Sequence, residues 1–143
     1  MYEYRVKVVK VVDGDTVDVD IDLGFDVILK NQRVRLAGID APESRTRDLV
    51  EKQFGLLAKE VVQDMLSEGL IVLSCTEYDS KGKFGRILGD FIVNDVSLVE
   101  YMISEGYGVP YNGQSKEEIE KLHLSNRERL IEEGKITIDE WKI

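Results

Sequence analysis

The chain has 143 residues, 43% of them hydrophobic and 33% charged, with two prolines, one cysteine and a formal net charge of −9 from 19 Lys and Arg against 28 Asp and Glu. That profile fits one soluble domain long enough to bury a core, and it excludes disorder, collagen-like structure and a disulfide-stapled scaffold. The acidic excess has the wrong sign for a sequence-independent nucleic-acid coat, and both halves share it (−4 over residues 1–94, −5 over 95–143), so any anion site must be local.

In chain order, Tyr4 to Val12 is valine-rich, and Val17, Val19 and Ile21 alternate with Asp18, Asp20 and Asp22, the period of a strand with one wet face. Asp13-Gly14-Asp15 supplies the turn between the two strands. Strand character resumes from Val27 to Leu36, placing Arg33 and Arg35 on one face and Val34 and Leu36 on the other. Helical spacing of Val50, Phe54, Leu57, Ala58, Val61, Val62 and Met65 predicts a helix closed by Gly69, with Gly55 blurring its start. Residues 70–77 and 84–93 read as a hairpin around a turn at 79–83. Asp95 reads as the N-cap of a short helix ending at Gly106, and Ser115 with Glu118 as a capping box opening a longer helix to Glu133.

Five strands with one helix between the third and fourth, then two more helices, is the element order of an OB-type barrel in a single α+β domain over residues 1–143. No run approaches the ~18 apolar residues of a membrane span, and MYEYRVKVVKVVDGD lacks the apolar stretch and cleavage site of a signal peptide. The expected setting is therefore cytoplasmic, with no membrane and a monomeric chain.

Polar chemistry gathers in three segments: Asp13-Gly14-Asp15-Thr16, the run from Val34 to Glu43 (VRLAGIDAPE), and Lys83-Phe84-Gly85-Arg86. In this order and spacing they resemble the staphylococcal nuclease (thermonuclease-like) family, a likeness extending from about Val6 to Tyr111. The resemblance implies a five-stranded OB barrel with three helices and calcium-dependent hydrolysis of phosphodiester bonds in DNA and RNA. It further implies that Asp15 and Asp40 are carboxylate ligands of the metal and that the Ala41 carbonyl adds a neutral oxygen. On the same basis Glu43 activates the attacking water, Arg35 and Arg86 grip the scissile phosphate, and Lys83, Tyr107 and Tyr111 contact the nucleotide.

Residue chemistry agrees with that assignment: a hard divalent cation prefers oxygen ligands, and arginine offers a planar fork that keeps its charge beside a phosphate. Asp15, Asp40 and Glu43 bring −3 and the two arginines +2, so the site is −1 alone and +1 with a divalent ion, which couples substrate binding to metal. The sequence also departs from the best-known members. It is acidic rather than basic, Phe84 stands where a tyrosine hydroxyl often reaches the phosphate, and the hairpin between Asp15 and Arg35 is longer.

Blander readings stand beside these. Taken singly, Asp13 to Thr16 is a plain turn, Arg35 a structural ion-pair partner and Arg86 a surface strand residue. Asp18, Asp20, Asp22 and Gly24 fail as an EF-hand loop because the twelfth position is Leu29. His123, the lone histidine, reads as solvated in a polar helix, Cys75 as core packing, and Trp141 as an anchor for the tail. Two other functions remain open: a noncatalytic module binding nucleic acid or protein through its barrel face, and a phosphodiesterase for a small nucleotide.

Overall fold

The computed structural model describes residues 2–75 and 87–139. In chain order these form β1 (Tyr2–Asp13), β2 (Thr16–Asp22), β3 (Ile28–Leu36), β4 (Ile39–Asp40), α1 (Leu49–Met65), β5 (Ile71–Cys75), β6 (Ile87–Val93), β7 (Val96–Ser97), α2 (Leu98–Ser104), β8 (Val109–Pro110) and α3 (Lys116–Glu132). The turn expected at 79–83, together with Lys83, Arg86 and Trp141, lies outside the described residues.

The twelve-residue β1 serves two neighbours by halves: Tyr2 to Arg5 pair with β5, and Val6 to Asp13 pair with β2. β2 pairs with β3 and β5 with β6, all antiparallel, while β3 meets β6 in parallel through Val34↔Ile87 and Leu36↔Gly89. That last pairing closes the ring β1-β2-β3-β6-β5, the five-stranded barrel of an OB fold, and removes the open edges that a flat sheet would expose. With its three helices the domain is α+β, as the element order predicts.

The alternation on β2 sets the inside of the barrel: Val17, Val19 and Ile21 are buried, while Asp18, Asp20 and Asp22 face out. Val34, Leu36, Leu73 and Phe91 complete the lining, and Phe54, Ala58 and Val62 of α1 with Leu98 and Met102 of α2 join the same core. Each of these side chains larger than alanine contributes about 1.5–3 kcal/mol by leaving water. Cys75 is buried among them. The outer aspartates face basic partners on β3, Asp18 with Arg33 at 2.8 Å and Asp20 with Lys30 at 3.4 Å, as the wet-face reading expects.

One cap differs from expectation. Asn94 and Asp95 both have positive φ (51° and 64°) and join the paired Val93 and Val96, so they form a two-residue hairpin turn. The N-cap of α2 is Ser97, whose hydroxyl accepts from the Glu100 N–H at 3.2 Å. Capping at Ser115 follows the sequence, with its hydroxyl accepting from the Glu118 N–H at 3.3 Å. Among the described residues no helix is long and apolar enough to cross a membrane.

Candidate active site

The first two polar segments, Asp13 to Thr16 and Val34 to Glu43, meet at one rim of the barrel. Asp15 sits in the turn between β1 and β2, and the register Thr16↔Arg35 brings the end of β3 alongside it. The Leu36 N–H closes the contact by donating to the Asp15 carbonyl at 2.8 Å. Gly14 is required here, because a Cβ would lie 2.7 Å from Ala58 Cβ in α1 and 3.1 Å from Ala41 Cβ.

Arg35 holds the centre. Its Nη1 donates to the Leu36 carbonyl at 2.9 Å and the Ile39 carbonyl at 2.8 Å, which pins the bend leading to Asp40. The same Nη1 lies 3.6 Å from Asp15 Oδ2, and Nη2 lies 3.8 Å from Asp40 Oδ1. With both Nη1 hydrogens given to carbonyls, Nε and Nη2 carry the donors left for an anionic ligand. Asp15 is further bound by the Thr16 hydroxyl at 3.0 Å and the Ala41 N–H at 3.1 Å. Burial pushes its carboxyl above the usual range, against the opposing pull of Arg35 and the Ala41 N–H.

Glu43 follows with an exposed side chain and a fixed backbone. Asp13 Oδ1 accepts from both the N–H and the hydroxyl of Ser44, a buried polar residue. On the other side α1 presses so close that a Cβ on Gly55 would stand 2.1 Å from the Glu43 carbonyl oxygen. The stretch after Glu43 therefore starts pinned on two sides.

Asp40 belongs to β4, whose pairing Asp40↔Val109 with β8 carries the chain to Tyr111. The Tyr111 N–H donates to the Gly38 carbonyl at 2.9 Å, and its side chain is exposed. Tyr107 is different: it is buried in the core beside Tyr101, ring centroids 6.5 Å apart, so it has no rim position.

His123 is the residue that sequence reasoning misplaced. It is not solvated: its side chain is 15% exposed and Nε2 lies 2.7 Å from Asp40 Oδ2. His123, Asn126, Arg127 and Leu130 share one face of α3, but exposed Leu122, Leu124 and Ile131 on its other faces obscure that spacing as a signal.

Among the described residues no three His, Cys, Asp or Glu side chains converge into a ready-made metal cage. The donor set nevertheless suits a hard cation. Two carboxylates already approach one cationic group within 4 Å, each oxygen has a further lone pair, and six to eight oxygen ligands are commonly completed by carbonyls and water.

A closed OB barrel carries an Asp-Arg-Asp cluster on one rim, which makes this an α+β protein with a charged, polar site beside the barrel. The chain belongs to the staphylococcal nuclease homologue family, whose model matches residues 33–138. It is 30% identical over 106 residues to a thermonuclease of Staphylococcus hyicus, covering 73% of this chain and 57% of that one. Over 87 residues it is 34% identical to a micrococcal nuclease of Shigella flexneri, covering 61% of this chain and 41% of that one. An uncharacterised protein of Methanocaldococcus jannaschii is 28% identical over 161 aligned positions, 96% of this chain and 72% of that one. The chain thus spans about half the length of these two nucleases, and the family match begins beyond Asp15.

Proposed function

We propose that the chain is a calcium-dependent phosphodiesterase that hydrolyses DNA or RNA with low base selectivity. The observation that carries this reading is the shared contact of Asp15 and Asp40 with Arg35, beside a glutamate whose backbone is fixed. The nuclease names of the S. hyicus and S. flexneri relatives support it.

Asp15 and Asp40, with the Ala41 carbonyl, would hold the metal, which supplies Lewis-acid polarisation of a phosphoryl oxygen. Arg35 orients the scissile phosphate through Nε and Nη2, with Arg86 as the second clamp, and both stabilise charge that grows as phosphorus gains a fifth oxygen. Glu43 takes a proton from water as the water oxygen bonds to phosphorus. The bond to the leaving sugar oxygen then breaks, and that oxygen receives a proton from solvent. Tyr111, exposed beside the Gly38 contact, and Lys83 take the nucleotide. Tyr107, buried in the core, is left out of the proposed nucleotide contacts.

The test is cleavage of single-stranded DNA, double-stranded DNA and RNA with calcium, magnesium or chelator, comparing wild type with the Arg35→Ala, Arg86→Ala double variant. Calcium-dependent cutting that disappears in the variant is expected. Intact polymers after incubation with folded, calcium-loaded wild type would overturn the reading in favour of a binding module.

The net charge of −9 favours a second reading, a small-nucleotide substrate that does not run along the acidic surface. Salt separates the two: polymer binding weakens steeply with ionic strength because several phosphates release counterions, whereas a dinucleotide responds little.

A further inference from the structure

Asp40 presents its two oxygens to different neighbours. Oδ1 lies 3.8 Å from Arg35 Nη2, on the side where Arg35 also meets Asp15, and Oδ2 lies 2.7 Å from His123 Nε2. A carboxylate only accepts, so Nε2 carries the hydrogen and donates it. We propose that His123 is a positioning residue: by capturing Oδ2 it turns the Asp40 carboxylate so that Oδ1 faces the cation site, and it ties α3 to that site.

The bond sits among a small set of contacts that hold α3 to the site. α3 buries only one residue fully, Leu130, with Ile119 half-buried, and polar side chains supply further anchors. Asn126 Nδ2 donates to the Gly108 carbonyl at 3.2 Å, next to Val109, the ladder partner of Asp40. Arg127 lies over the Phe54 ring, 5.3 Å from its centroid. His123 and Asn126 therefore grip the short β4–β8 ladder at two points, one on the carboxylate and one on the backbone. The His123 side chain is 15% exposed and that of Asp40 35%, so the histidine end of the bond is the better shielded from water. Hydrogen-bond partners of metal-ligating groups commonly change metal affinity by about 10–100-fold when removed.

This inference rests on the metal-site reading of Asp40, and calorimetric titration of the full chain with calcium chloride tests both. The set is wild type, His123→Ala, His123→Gln and Leu130→Ala, each with thermal unfolding in chelator. His123→Ala is expected to bind calcium about tenfold or more weakly. Glutamine, whose amide N–H reaches the same oxygen, should bind within about threefold of wild type. Leu130→Ala loosens α3 without touching Asp40, so it should lower the melting temperature and leave calcium affinity unchanged. Equal affinities for wild type and His123→Ala, or equal weakening in Leu130→Ala, would overturn the positioning role while leaving the calcium site standing. A wild type that takes up no calcium would overturn the site and this role together.

Discussion

Arg35 Nη1 lies 3.6 Å from Asp15 Oδ2 while donating to the Leu36 and Ile39 carbonyls, so one guanidinium both pairs with a carboxylate and shapes the bend that delivers Asp40. Lysine cannot reproduce that fork. Arg35→Ala and Arg35→Lys are both expected to lower kcat by about 10²–10³, the scale of losing one transition-state donor. Measuring kcat at saturating calcium checks this. A lysine variant at the wild-type rate would show that charge alone suffices.

Asp15 bears a folding cost in the absence of metal. Burial raises its carboxyl pKa in the folded protein, so the folded state favours the protonated form, and ionisation at neutral pH works against folding. Asp15→Asn should therefore melt at a higher temperature than wild type in chelator at pH 7. The gap should close as pH falls through the folded-state pKa, where wild type becomes neutral as well. Calcium binding should be lost in the same variant. Thermal unfolding in chelator across that range gives the answer, and a variant less stable than wild type at pH 7 would contradict it.

The barrel was legible because its signals are local. Alternation over Val17 to Asp22, the Asp13-Gly14-Asp15 turn and the helical spacing from Val50 to Met65 each sit within one element. Asp95 and Ser97 are both competent caps by type, and positive φ at Asn94 and Asp95, a consequence of the Val93↔Val96 pairing, decides for Ser97. His123 escaped because its partner Asp40 lies far away in sequence and a single histidine in a polar helix has no pattern. Tyr107 and Tyr111 look alike in sequence, yet one is buried and the other exposed.

Gly55 weakens a helix in the sequence, and the Glu43 backbone explains it. Gly55→Ala gains about 1 kcal/mol of helix propensity but sets a methyl against backbone atoms at 2.1 and 2.3 Å, which cannot yield as a side-chain tip would. The net effect should be a lower melting temperature and a kcat at least about tenfold lower as Glu43 shifts. Unfolding and cleavage rates measured together decide it. Unchanged values for both would mean that the loop moves aside without consequence.

Asp20 offers a pH test away from the site. Its pKa is lowered by the Asn31 N–H, which donates to Oδ1 at 2.9 Å, with help from Lys30. Asn31 has a φ of 51°, so this bond supports an irregular point of β3. The contribution is present above the unfolded-state pKa and fades as pH falls through the folded one. Asp20→Asn should melt below wild type at pH 7 and match it in strong acid. A constant difference across that range would tie the loss to shape instead of charge.

The groups at the rim come from the turn after β1, the end of β3, β4 and the middle of α3, and none of them is in place until distant parts of the chain have met. A half-made chain holds Asp15, Arg35, Asp40 and Glu43 as residues but lacks the β8 strand that pairs with Asp40 and the helix that orients it. Synthesis therefore sets the order of events: the rim is complete only after α3 has been made and has docked against Asp40.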